Sequence, residues 1–533
     1  MTTADSPQDS GSIPAASQRR SRALVACLLF LVAFEIVSVT ARGPGMTYDE
    51  GFYVASAAVY AEWFRHLGHD ATDRTFLETT WAVNHEHPPL GKLVFVVGHA
   101  LWGRARGPLV SMRMGQGLVF GLLVALVHLL VARWQGDRAG IYAALSLMLM
   151  PRVLGEAHLA SLDLPTAAAW FGTTMAYASA ASRGGWRTPL AGVVLGLALL
   201  TRLSALAIPA VLVPWGLIWH GRKALLPSLA LALALLVFFA GWPWMWIDTL
   251  AHLREWIGFL HSHGSIFVHY LGRFYGGETA APWHYPLVLT IATLPAVTVL
   301  AVIGGGWWTA RRIRTDALGA LILAQGLFVL VLASKPGLPK FDGVRLFVPA
   351  FPFLACLAGV GLDRAHAWLA GRLRAERLAA LPFAAHFAWL TAVCAWIHPF
   401  YLEYYGGLVG GLAGAHRLGL ETTYWGDAVD LALLRFVNDQ APEGAHVSLR
   451  AYGGLARGYL QMIGAMRPDL QLVDPYDPAW DVVVLNCRQG FFKPEDWDLY
   501  ARQDQAVFAN RRQGVPLALV FLRPTSPPAP ASP

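Results

Sequence analysis

The sequence is a succession of long apolar segments separated by short, arginine-bearing interruptions. Eleven such segments occupy residues 23–40, 110–132, 139–157, 162–182, 188–202, 203–220, 224–246, 284–304, 316–334, 344–362 and 379–398. A helix needs about 20 apolar residues to cross the hydrocarbon core of a bilayer. In that core the backbone must satisfy its own donors and acceptors, so spanning segments are helical. The pattern predicts a polytopic α-helical membrane protein with about eleven transmembrane helices. Composition removes the competing classes. Charged residues make up 14% of the 533 and hydrophobic residues 55%, against about 25% charged in an average soluble domain. Four cysteines, Cys27, Cys356, Cys394 and Cys487, are too few for a disulfide scaffold.

Charge sets the orientation. The stretch 90–102, LGKLVFVVGHALW, is apolar but only 13 residues long, so it is placed as an interfacial helix rather than a span. The basic groups Arg133 and Arg138, Arg183 and Arg187, Arg222 and Lys223, Arg311, Arg312 and Arg314, and Arg364, Arg372, Arg374 and Arg377 then share one side. The positive-inside rule makes that side cytoplasmic. Arg104, Arg106 and Arg113 are the exception and fall outside. The net charge of +7 therefore follows topology and does not imply nucleic acid. Residues 1–22 read as a disordered cytoplasmic tail and 23–400 as the transmembrane domain, with outer loops 41–109 and 247–283. The second of these loops reads as one or two further interfacial helices. Residues 401–523 form an outer-face region, and the Pro-rich end, 524–533, reads as disordered. Within that region, helix-like runs at 427–440, 453–466 and 494–503 alternate with strand-like runs at 446–449, 470–473, 481–486, 506–510 and 516–522. They predict a small α/β domain. Neither G-x-x-x-x-G-K-[ST] nor G-x-G-x-x-G occurs, which argues against a nucleotide-driven motor.

Four places carry candidate chemistry. Asp49 and Glu50 follow the first span, where two adjacent acids are costly unless solvated, paired or used. His85, Glu86 and His87 precede two prolines that open the interfacial helix. Asp163 opens a span two residues before Pro165, on the same side as Asp49. Lys340 and Arg345, with Arg202 at another span end, place cations at the outer leaflet against the usual bias, as a phosphate there would require. Each feature also has a structural reading. The acids can cap helices, the histidines can simply be solvated, and Asp342 can pair one of the cations.

An Asp-Glu pair after the first span, the H-P-P-L-G-K helix, an Asp opening a later span, W-H-Y-P-L before a span, and F-D-G-V-R-x-F-x-P-A-F-P-F-L together resemble the protein O-mannosyltransferases. The wider class is the GT-C glycosyltransferases of family 39, which includes the bacterial aminoarabinose-to-lipid-A transferases. The resemblance covers roughly 23–400. It implies a GT-C fold and transfer, with inversion, of a sugar from a polyisoprenyl-phosphate donor to an acceptor hydroxyl on a lipid, glycan or protein at the outer face. Asp49 matches the catalytic acid, Glu50 its neighbour and Asp163 the second loop acid. Arg345, Lys340 and Arg202 would hold the donor phosphate. A divalent metal, zinc or another, would be held by Glu86 and His269, the nearest matches to the ligands of the aminoarabinose transferases. His87 stands where that subgroup often has Lys. Loop 247–283 is too short for the insertion of the eukaryotic mannosyltransferases. The bacterial-like layout and the absence of N-x-[ST] point to a bacterial inner membrane, with the active site and C-terminal domain on the periplasmic side. A lipid or small-molecule transporter or flippase is the alternative, although no internal repeat is visible.

Overall fold

The computed structural model of the protein describes residues 16–262 and 265–523. Among these, six helical runs are long and apolar enough to cross a membrane: Ala16–Thr40, Pro108–Gln135, Leu203–Ala240, Ala317–Ser334, Arg345–Leu373 and Glu376–Ile397. Tyr285–Thr293 and Ala296–Ala310 are together long and apolar enough for a further pass, but they are bent by 119°. The sequence reads 284–304 as one uninterrupted segment. Pro295 breaks it, because proline has no N–H for the ladder and disfavours helical geometry at the residue before it.

Leu203–Ala240 is two passes. Gly221 adopts a left-handed φ of +54° between them, and the chain doubles back there. Gly192 then packs on Ala230, Gly196 on Val237 and Gly241 on Leu200. Residues 225–241 therefore run parallel to Arg187–Leu199. The remaining apolar segments are the broken pair Asp137–Met148 and Pro151–Ala157, with Asp163–Arg183 and Arg187–Leu199. Asp163–Arg183 tolerates Thr166, Thr173 and Thr174 in its core because each hydroxyl donates to the carbonyl four residues back.

The first helix begins at Ala16, so residues 16–22 of the expected tail are helical, and Arg22 pairs with Asp137. The rest of that tail, the Pro-rich end and residues 263–264 of the second long loop lie outside the described residues. One end of the bundle is basic and rich in tryptophan. Arg138 Nε donates to Asp363 at 2.7 Å, and Arg311 and Arg312 stack on Trp307 and Trp308 at 3.8 and 3.5 Å. The other end carries the loops and the candidate site.

Leu90–Arg106 lies across that second end. Its first N–H donates to Leu200 O at 2.8 Å, and Gly98 packs on Ser111 and Gly115 of the following pass. The second long loop differs from expectation. Helix Thr249–Ser262 is followed by a β-hairpin, β1 (Ser265–Tyr270) and β2 (Arg273–Gly277). Leu271 and Gly272, both at positive φ, make its two-residue turn. Aromatic and β-branched residues on either side of Leu-Gly are a hairpin signal that an amphipathic-helix reading passes over.

The C-terminal sheet contains β3 (His446–Arg450), β4 (Gln471–Leu472), β5 (Val482–Asn486), β6 (Phe508–Arg512) and β7 (Val515–Leu522), in the order β4-β3-β5-β7-β6. β3 runs parallel to β4 and β5, while β7 is antiparallel to β5 and β6. The side-chain alternation of β5 sorts its residues. Val482 and Val484 join the main core, whereas Val483 and Leu485 pack with Leu499 of helix Pro494–Ala501.

Candidate active site

Loop one is clamped to the C-terminal region before it reaches the acids. Gly45 N donates to Asp427 O at 2.8 Å and Tyr48 N to Trp425 O at 3.0 Å. Asn486 Nδ2 donates to Tyr48 Oη at 3.0 Å, and Tyr452 Oη to Met46 O at 2.5 Å. These bonds deliver Asp49 and Glu50 to two different surroundings.

Glu50 is fully buried. Arg113 Nε and Nη2 donate to its two oxygens, each at 2.7 Å. Thr47 N, Thr47 Oγ1 and Ala160 N donate at 2.9, 3.2 and 2.8 Å. Arg113 uses its remaining donors on the carbonyls of Ala41, Pro44 and Gly45. Glu50 holds the loop together and has no face toward a substrate, in contrast to the expectation that it belongs to the reacting set.

Asp49 precedes helix Glu50–Arg65, yet its side chain makes no cap hydrogen bond, so the capping reading does not describe it. One oxygen accepts from Arg345 Nη2 at 2.6 Å, and the side chain is 32% exposed. The same guanidinium donates through Nε to Asp163 at 3.1 Å and through Nη1 to Asp342 at 2.6 Å. Its flat face lies 3.6 Å from the Trp425 ring. Asp163 also accepts from Arg202, and Asp342 from Arg488 Nη2 at 2.7 Å. Arg202, Asp163, Arg345, Asp342 and Arg488 thus alternate along one chain of contacts, and Asp49 branches from it at Arg345. Every nitrogen of Arg345 is engaged by a carboxylate, so it is the hub of the acids and not the open cation expected for a phosphate. Arg202 is the more open cation: its side chain is 23% exposed, and only Nη1 is committed. Burial raises the Asp49 carboxyl above its ordinary range, against the opposing pull of Arg345.

Lys340 stays outside this chain. Its ammonium donates to the carbonyls of Lys335 and Leu338, at 2.8 and 3.1 Å, and so caps its own loop. The metal-ligand pair does not assemble either. Glu86 accepts from Asn84 Nδ2 at 2.8 Å, whereas His269 Nδ1 is bonded to Gln489 Oε1 at 2.8 Å. Among the described residues, no three His, Cys, Asp or Glu side chains come together as a metal site. The residues present do not fit a metal at this pair.

Several residues that shape the candidate site escape sequence reasoning. Trp425 and Arg488 come from beyond the spans, and Asp342 is legible there only as a local partner. Lys92, inside the H-P-P-L-G-K motif, is buried under Tyr60 and donates to the carbonyls of Asn84 and His87, at 2.7 and 2.8 Å. Burial pushes it down to about 7. That motif therefore fixes the shape of the loop ahead of the interfacial helix.

Residues 86–246 match the family described as dolichyl-phosphate-mannose-protein mannosyltransferase. Among solved structures, the chain is similar to ArnT from Cupriavidus metallidurans bound to undecaprenyl phosphate. The TM-score is 0.52 at 18% identity, over 95% of this chain and 98% of that one. The apo state of the same protein matches with a TM-score of 0.52 at 18% identity, over 93% and 98% of the two chains. No curated protein matches the chain by sequence.

Proposed function

We propose that this chain, a membrane glycosyltransferase with the GT-C fold that uses a polyprenyl-phosphate-linked sugar, performs the transfer at Asp49. The observation that carries the reading is a carboxylate with one oxygen on a buried arginine hub and the other at an open edge. In the reaction, the acceptor hydroxyl oxygen attacks the anomeric carbon as Asp49 takes its proton. The bond from that carbon to the phosphate oxygen breaks, and the polyprenyl phosphate leaves with the electron pair. Attack opposite the leaving group inverts the anomeric centre. A base held above the ordinary carboxylate range is better matched to this proton transfer than an exposed Asp. Arg202 meets the charge on the leaving phosphate, and Arg345 and Asp163 position Asp49 and Arg202 respectively. The acceptor is a hydroxyl on a lipid, glycan or protein. The enzyme lies in a bacterial inner membrane with this face periplasmic, in keeping with the arginine-rich opposite end.

Asp49→Asn tests the assignment. Asn keeps the size and removes the basicity, and no cap bond is lost. Turnover of a radiolabelled polyprenyl-phosphate sugar by the purified variant should fall by about 10²–10⁴, the usual contribution of a general base, with melting unchanged. Retention of more than about a tenth of wild-type turnover would move the base elsewhere.

A further inference from the structure

A cavity independent of the transfer reading lies where the start of loop one, the corner between Leu90–Arg106 and Pro108–Gln135, and helix Leu431–Gln440 meet. Its volume is about 300 Å³. Met46, Leu434, Leu460 and Ile463 contribute an apolar wall, and no carboxylate lines it. Arg42, Arg106 and Arg435 line it as well, and all three are exposed. None of the three has an acidic partner among the described residues. Arg113 also reaches the cavity, but Glu50 and three carbonyls already occupy its donors.

Depth follows from the chain. Arg42 comes just after Ala16–Thr40 ends, and Arg106 just before Pro108–Gln135 begins. Two passes end at this level, which puts both cations at headgroup height. The N-terminus of the second pass adds its unpaired N–H groups to the same positive field. Beside the cavity, Val39 on Ala16–Thr40 and Leu101 on the interfacial helix Leu90–Arg106 are 71% and 62% exposed. Unpaired arginines on this face run against the charge bias that orients the rest of the chain, and an anion at the headgroup level resolves the conflict.

We propose that this cavity binds the headgroup of an anionic membrane phospholipid. Its phosphodiester sits among Arg42, Arg106 and Arg435, and its acyl chains pass along Val39 and Leu101 into the bilayer. The planar forks of the arginines suit a phosphate, and the apolar wall suits the glycerol and the first methylenes. The occupant would touch Met46, three residues before Asp49, and so brace the loop that carries the reacting acid.

Native mass spectrometry of the whole protein in neutral detergent, titrated with phosphatidylglycerol or phosphatidylcholine, tests this. The wild type should retain phosphatidylglycerol in preference to phosphatidylcholine. The triple variant Arg42→Gln, Arg106→Gln, Arg435→Gln should bind phosphatidylglycerol roughly a hundredfold more weakly, at about fivefold for each cation near an anionic surface. Its melting temperature in lipid-free detergent should match the wild type, because the three side chains are exposed. Arg104→Gln, on the same helix but outside the cavity, should leave binding unchanged. Equal retention of the two lipids, or unchanged phosphatidylglycerol binding in the triple variant, overturns the proposal. Displacement of the lipid by low-millimolar inorganic phosphate also overturns it, because the site would then be a free-anion pocket.

Discussion

Asp49 and Glu50 are neighbours in the chain, each held by an arginine from a distant segment, and their surroundings differ in completeness. Around Glu50 every acceptor site is filled by Arg113, Thr47 and Ala160, and water is excluded. Around Asp49 one oxygen is anchored by Arg345 and the side chain reaches the open edge. A carboxylate is a fastener in one case and, in the proposed reaction, the base in the other. What separates them is how many donors reach the carboxylate, a property of the fold rather than of the Asp-Glu motif.

Variants in the two regions should fail in opposite ways. Asp49→Asn should lose transfer by about 10²–10⁴ and keep its stability. Arg113→Ala strands a buried carboxylate and should cost about 3–5 kcal/mol of stability. It should appear as a lowered melting temperature and poor yield, with donor saturation normal in whatever folds. Arg345→Gln also strands buried acids, so its readout is the pH dependence of the reaction rather than yield. This change removes the cation that lowers the Asp49 pKa, and the base must be ionised to act. The acid limb of the kcat/KM profile should therefore move to higher pH, which a merely structural loss would not produce. Arg202→Gln should raise the donor KM by about tenfold, in line with the roughly 1.5 kcal/mol of a hydrogen bond to a charged group. An unchanged KM would remove Arg202 from the phosphate. A pH-dependent effect on stability concerns Glu421, which burial holds up at about 8 beside Arg488. The folded state keeps this proton while the unfolded chain releases it near the ordinary pKa of about 4.3. Stability is therefore lost as pH rises from there toward 8. Glu421→Gln stays neutral throughout, so its melting temperature should exceed that of the wild type by a margin that grows from pH 5 to pH 8.

Features set by local chemistry are legible in the sequence. The apolar segments need only hydropathy, and the strands of the C-terminal sheet need only alternation. Placing Asp49, Asp163, Arg202 and Arg345 at one end of the bundle needs only the count of passes and the arginine bias, and the structure brings these four together. Pairings are different. Nothing near Glu50 announces Arg113, and nothing near Arg345 announces Trp425, because such contacts are set by packing across the whole chain. Lys340 illustrates the converse error. Its neighbourhood in sequence suggests a cation beside Arg345, but the turn at Asp342, with φ of +54°, separates the two and leaves Lys340 capping carbonyls. The bend at Pro295 was within reach of the proline rule, and the hairpin at Leu271–Gly272 within reach of turn chemistry.

The stacking of Trp425 on Arg345 has a consequence for biogenesis. A ribosome delivers the helices to the membrane one after another, and Trp425, Asp427 and Arg488 emerge only after the final pass, Glu376–Ile397, has been made. Until then the guanidinium lacks its aromatic support, Asp342 lacks its second partner, and loop one has nothing to pair with at Gly45 and Tyr48. An inserted but unfinished chain therefore lacks the contacts that hold Arg345, Asp342 and loop one in place. The end of the polypeptide thus completes a site whose acids were laid down at its beginning.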